Sequence, residues 1–211
     1  MAEREVFVAL IDSGCSFETY HKAAIEVEDK RPRVVEPKTV RFKHGDTVGA
    51  IITEAANVAL YDIQVFDERL VTTPLHVVGA LEYMMEKKVD LIHLSLGLKI
   101  NYREVESLCE ALIEKGVAIV ASFPRSGVEF VYPASYDGVI SVTSDGMCAE
   151  GEVSLLNEEG LIFGANPFSN VEGVGGSSVA VAKFTKLFCR YLGEGYSRDE
   201  SLELIKKGAL R

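Results

Sequence analysis

Apolar positions in this chain fall into short, nearly continuous runs separated by longer stretches with helical spacing. Residues 6–11, 58–65, 89–94, 117–121 and 139–143 are rich in β-branched side chains, the pattern of strands covered on both faces. Helices with legible ends lie between and after them. Thr73 can cap and Pro74 can fill the first turn of a helix reaching Lys88. A helix over 103–115 ends on basic Lys115, with Gly116 as its stop. A Gly-rich turn opens a helix over 177–192, and Ser197 with Glu200 forms a capping box for a last helix through Lys207. The polar, proline-containing stretch 26–43 is expected to be a surface excursion.

Strand–helix–strand alternation with short links implies an α/β fold: a mainly parallel sheet with helices on both faces. No repeat, low-complexity tract or linker interrupts the pattern, so residues 1–211 are expected to form a single domain. In such sheets function gathers where strands end at their carboxyl side. That rule selects Asp12 after the first strand, Ser95, Leu96 and Gly97 after the third, and the turn from Ser122 to Gly127 after the fourth.

Composition narrows the function classes. Of 211 residues, 47% are apolar, enough for a sizeable core, and 22 basic against 32 acidic residues leave a formal charge of −10. That balance argues against nucleic acid or an anionic membrane surface as partner. It is ordinary for solubility and would also attract a basic peptide. No apolar run approaches a membrane span. The N-terminus, acidic where a secretion signal is basic, leads straight into Asp12. The chain is therefore expected to be soluble and cytoplasmic, with no pro-segment before Val6. Its four cysteines (15, 109, 148 and 189) show neither a CxxC nor a metal spacing and are expected to be reduced thiols. No cofactor or metal is expected.

Three segments carry recognisable chemistry. VALIDSG, HGDTVGAI and GGSSVAVA resemble the segments that supply aspartate, histidine and serine in subtilisin-like serine peptidases, in that family's chain order. The resemblance continues through VDLIHLSLG, GVAIVAS and YPASYDGVISVTS, similar to the substrate-binding strand, the strand entering the oxyanion loop and the segment after it. It implies Asp12, His44 and Ser178 as a catalytic triad. A serine hydroxyl is a poor nucleophile at neutral pH, so His44 would take its proton and later protonate the leaving amine. Asp12 would fix the imidazole tautomer and stabilise its cation. Ser178, at a helix start, would lie among unpaired N–H groups that favour an oxyanion. Ser95, Leu96 and Gly97 would pair with an extended peptide through the main chain.

The chain also departs from the family pattern. Arg125 stands where the family's oxyanion asparagine is expected, and Asn166 is a second candidate donor by position. Leu98 replaces a frequent second glycine, which is expected to narrow the adjoining pocket. Thr47 replaces the second histidine of H-G-T-H, and Ala182 the proline after the serine. The segment 145–176 is compressed, without an Asp/Asn-dense calcium loop. Trimmed chains of this kind resemble the peptide-maturation subgroup, including leader-peptide peptidases and those that mature the small subunit of quinohemoprotein amine dehydrogenase. The implied activity is endopeptidase cleavage of a peptide or protein, such as a modified precursor peptide, through an acyl-enzyme on Ser178. A peptide-binding pseudo-peptidase and a ligase or macrocyclase using the same acyl-enzyme are the alternatives.

Overall fold

The computed structural model describes residues 4–55, 57–125, 130–157, 159 and 161–210. The first strand, β1 (Val6–Asp12), is buried along its whole length, as its unbroken apolar run requires. A hairpin follows, β2 (His21–Glu28) and β3 (Arg31–Val35), then helix α1 (Lys43–Thr53) and β4 (Val58–Gln64). Next come α2 (Pro74–Met85), β5 (Leu91–Leu94), α3 (Arg103–Glu114), β6 (Ala118–Ser122) and β7 (Ile140–Ser144). The chain closes with β8 (Val153–Asn157), β9 (Ile162–Ala165), α4 (Ser177–Gly193) and α5 (Arg198–Gly208).

Among the described residues, nine strands form one sheet in the order β3-β2-β4-β1-β5-β6-β7-β9-β8. All neighbours are parallel except β2 with β3 and β8 with β9 at the two edges. The expected α/β architecture is therefore observed. α2 and α3 bury one apolar face, with Leu81, Met84 and Cys109 packed on Ile11, Ile63 and Ile92. α1, α4 and α5 bury the other, where Val48, Phe184 and Phe188 meet Leu10, Leu60 and Val120. Successive strands leave β1 in opposite directions, β4 on one side and β5 on the other, which opens a crevice at the carboxyl edge beside β1.

The stretch 26–43 lies at the surface as expected, with no buried residue, but its first part also extends the sheet as the β2–β3 hairpin. Asp29 and Lys30 both take left-handed φ (50° and 61°), the conformation that a two-residue turn between right-twisted strands demands. β3 escapes a pattern search because it is an edge strand. Arg31 and Arg33 are exposed beside Val34, and its Pro32 is tolerated where a strand faces solvent.

Helix ends follow the sequence with two corrections. α2 stops at Met85 rather than Lys88, and Thr73 precedes it without a capping bond. The Thr73 hydroxyl instead lies 2.8 Å from His76 Nδ1. The Ser197–Glu200 capping box is present in both directions. Gly116, at φ 86°, ends α3 as expected. All four cysteines are free and buried.

Candidate active site

Asp12 is the last residue of β1 and is fully buried. His44 is the second residue of α1, and its Nδ1 lies 2.8 Å from Asp12 Oδ1. The same carboxylate oxygen accepts the Ser13 backbone N–H at 2.6 Å. Asp12 Oδ2 is buried and has no hydrogen-bond partner among the described residues. Burial acts most strongly on His44 and lowers its pKa. The bond to Asp12 and that carboxylate's charge outweigh it and leave the imidazole above its ordinary value. An imidazole bonded to a carboxylate through Nδ1 keeps Nε2 free to exchange a proton.

The loop after β1 is stitched to the start of α1. Gly45 N–H donates to Ser13 Oγ (3.2 Å), and the Cys15 thiol donates to Gly45 O (3.4 Å). Ser16 donates through both its backbone N–H and its hydroxyl to Asp46 (2.6 and 2.9 Å). Gly45 lies so close to Gly14 that a Cβ there would overlap the Gly14 carbonyl. A side chain at 45 would push α1, and His44 with it, away from Asp12. This is the physical reason for glycine after the histidine. Cys15 is an inert member of the set: burial, followed by the charges of Asp62, Asp46 and Asp12, pushes its thiol far above the ordinary range.

Ser178 is the second residue of α4 and is half-buried. Two contacts fix the direction of this helix. At its start, Gly176 N–H donates to Pro167 O, and Ser177 Oγ lies 3.3 Å from Ser144 Oγ at the carboxyl end of β7. At its far end, Gly193 O and Leu192 O accept from Arg4, just before β1. α4 therefore runs antiparallel to the strands and begins at the carboxyl edge, packed against α1. His44 and Ser178, each second in its helix, stand at the same edge. No hydrogen bond joins them. Gly176 precedes α4 with φ 74°, so neither serine is spent as a side-chain cap. The Ser178 N–H belongs to the first turn, where helical N–H groups have no intrahelical partner.

Ser95, Leu96 and Gly97 follow β5 and belong to no strand. Ser95 and Leu96 are buried and Gly97 is exposed, so a peptide laid here would meet main chain rather than the Leu96 side chain. The expectation for Leu98 needs correction. Its side chain sinks into the core (7% exposed) while its backbone exchanges two hydrogen bonds with Tyr132. The space beside the segment is taken by Val131, whose side chain packs directly on Gly97.

The two oxyanion candidates fare differently. Asn166 holds its own loop: its amide nitrogen donates to Cys148 O (2.9 Å), and its oxygen accepts from Lys183 (2.8 Å) and the Phe168 N–H (3.1 Å). Arg125 is exposed after β6, within electrostatic reach of Asp145, whose pKa it helps to lower after the hydrogen bonds from Ser154 and Met147. Asp145 follows Ser144, the partner of Ser177, so Arg125 lies in the neighbourhood of the α4 start. Ser126 and Gly127 lie outside the described residues.

Sequence reasoning missed two buried polar groups beside the site. His93, on β5, is fully buried, with Nδ1 2.9 Å from Thr185 Oγ1 on α4 and Nε2 2.7 Å from Ser95 Oγ. Burial pushes its pKa down to about 3, with Asp12 raising it and His44 lowering it. Asp62, on β4, is also fully buried and lies beneath the loop after Asp12. His93 was visible as a lone ionisable residue inside an apolar strand, and Asp62 as a carboxylate within a largely apolar one.

A sheet of this order, with an Asp–His pair at its carboxyl edge and a serine at an adjacent helix start, defines a subtilisin-like fold. Solved structures agree. The chain superposes on sphericase with a TM-score of 0.72 at 15% identity, over 98% of this chain and 83% of the other. It matches the S41 psychrophilic protease at 0.69 and 13% identity (96% and 82%), and the prenylagaramide maturation protease PagA at 0.63 and 15% (95% and 80%). In sequence it is 31% identical over 90 residues to the major intracellular serine protease of Bacillus subtilis (strain 168), covering 39% of this chain and 28% of that protein. It is 28% identical over 102 residues to subtilisin DY of Bacillus licheniformis, covering 46% and 37%. The aligned stretches thus span well under half of either relative. No family model matches the chain. The fold is thus subtilisin-like, and part of the sequence is similar to subtilisin-like serine proteases.

Proposed function

We propose that the protein is a serine endopeptidase acting through an acyl-enzyme on Ser178. The observation that carries this reading is the Asp12–His44 bond at the edge where α4 presents Ser178. His44 takes the Ser178 proton during attack on a peptide carbonyl, and Asp12 stabilises the resulting imidazolium. The Ser178 N–H supplies one oxyanion donor, and Arg125 rather than Asn166 supplies the second, because the Asn166 amide is engaged within its loop. His44 then returns its proton to the leaving amine, and water releases the acyl group. The substrate is an extended peptide or protein lying along Ser95–Gly97. Maturation of a precursor peptide in the cytoplasm is the role we favour. The fold likeness to PagA and the sequence likeness to an intracellular protease support it.

Arg125 is also the observation that favours a second reading. An exposed, flexible arginine in place of an asparagine suits a peptide-binding pseudo-peptidase that lacks a working oxyanion hole. Labelling with a fluorophosphonate decides between the two. The parent and Ser177→Ala should label and Ser178→Ala should not, whereas an unlabelled parent supports the pseudo-peptidase. Arg125→Ala should slow acylation by about two orders of magnitude if the guanidinium serves the oxyanion. If it binds substrate instead, the loss should fall on affinity. The product mass separates hydrolysis from ligation.

A further inference from the structure

The backbone of Cys15 is held at both its N–H and its carbonyl by side chains that the triad chemistry does not use. Asp62 Oδ2 accepts the Cys15 N–H at 2.8 Å, and Lys22 Nζ donates to the Cys15 carbonyl at 2.6 Å. Lys22 and Asp62 are register partners on β2 and β4, and Asp62 pairs with Leu10 on β1. The clamp therefore rises from the sheet itself. Cys15 in turn reaches α1 through its thiol bond to Gly45 O, one residue from His44. A buried carboxylate here is costly. Asp62 is fully inaccessible, Oδ1 has no hydrogen-bond partner among the described residues, and Asp12 and Asp46 are near enough to repel its charge. A group kept at such cost, on a loop between two members of the site, points to a task other than stability.

We propose that Asp62 and Lys22 are positioning residues which, by clamping the Cys15 backbone, hold the loop after β1 against α1 and keep Asp12 aligned with His44. The proposal rests on the triad reading above, and it adds a second proton to the acid side of the activity. The charged groups around Asp62 are Asp12 on β1, Lys22 on β2 and Asp46 on α1. Burial raises its pKa most; the Cys15 N–H and Lys22 lower it, and Asp12 and Asp46 raise it, leaving it at about 6. Because the folded value exceeds the ordinary 3.8, the contribution of Asp62 to stability is complete below 3.8 and lost as pH rises through about 6. At pH 8 the ionised form is destabilising, but Asp62→Leu, which removes the charge and the acceptor together, should acylate Ser178 about tenfold more slowly. The parent's rate should fall on the acid side more steeply than one proton allows, and the Leu variant should show a one-proton limb.

The decisive measurement is the His44 titration followed by NMR, which needs no catalysis. A loosened Asp12–His44 bond lowers the His44 pKa, so the clamp predicts a fall in both Asp62→Leu and Lys22→Met. If the two residues act only as distant charges, losing the anion lowers the His44 pKa and losing the cation raises it. A rise or no change in Lys22→Met therefore overturns the clamp. Lys22→Gln keeps a donor without the charge and should match the parent. If the Met variant fails to fold, a raised value in the Gln variant overturns the proposal and a parent value supports it. Should Ser178 never label while His44 shifts down in both variants, the peptidase reading fails and the clamp stands. Should labelling proceed and Lys22→Met raise His44, the reverse holds.

Discussion

Gly45→Ala tests whether the site depends on the approach of α1 to the loop after β1. In the parent, a Cβ at 45 would overlap Gly14 O and stand 2.9 Å from Gly14 N and C. All three are backbone atoms that no rotamer change can move aside. To regain ordinary carbon contact, α1 must retreat by about 1 Å. That retreat stretches the Asp12–His44 bond from 2.8 Å to beyond hydrogen-bonding range. The bonds of Gly45 to Ser13 and Cys15, at 3.2 and 3.4 Å, weaken in step. Forcing a methyl into a packed contact costs about 1–3 kcal/mol, and the buried hydrogen bonds it breaks add about 1 kcal/mol each. A destabilisation of roughly 2–4 kcal/mol should follow, read as a lower urea midpoint with unchanged slope. A misplacement of this size costs about 10²-fold in rate, read as slower fluorophosphonate labelling of Ser178 under folded conditions. A variant that keeps the parent midpoint and labelling rate would refute the argument, because the contact could then relax without moving His44.

Two further outcomes are expected. His44 must be neutral to act as base, and its folded pKa is raised. Labelling should therefore climb with pH through a value above 6.5, and this limb should persist in His93→Asn; its disappearance in that variant would reassign the base. Cys15→Ser should retain labelling within about tenfold, or 1.4 kcal/mol, because its buried thiol stays protonated and a hydroxyl can also donate to Gly45 O; intact-protein kinetics would show a larger loss if the sulfur itself reacts.

The parallel centre of the fold was readable because its strands are buried on both faces. An unbroken run such as 6–11 has few other homes, and Asp12 at its end then falls where parallel strands deliver side chains to a site. The edges were harder to read. β3 alternates weakly, and its turn uses Asp29–Lys30 instead of a glycine pair, so propensity alone does not find it. Leu98 shows a second limit: its replacement of glycine was visible, but only the backbone bridge to Tyr132 turns its side chain into the core and leaves Val131 against Gly97. Asn166 stood near the Gly-rich turn in sequence, yet Lys183, on α4, reaches back to hold its oxygen. Asp62 and His93 carried a readable signal, a charge-bearing residue inside a largely apolar strand. What each one touches depends on strand register, which periodicity does not supply.

The two halves of the proposed machinery are built differently, and this has a consequence for rate. The base half is fixed: Asp12 is fully buried, and the loop after it is bonded to α1 through Ser13, Cys15 and Ser16. It enters the reaction with its geometry already set. On the oxyanion side, the Ser178 N–H comes with the helix, but the proposed second donor, Arg125, is a long side chain on an exposed residue. Ordering such a chain costs up to about 2 kcal/mol, and Asp145 competes for its charge. A generic peptide gives nothing back for that cost. A substrate that packs over the loop after β6 and excludes water strengthens the guanidinium's interaction with the oxyanion and offsets it. On this reading selectivity is expressed in acylation rather than in initial binding. Poor substrates should bind along Ser95–Gly97 and still turn over slowly, the behaviour suited to an enzyme that shares its compartment with many other proteins.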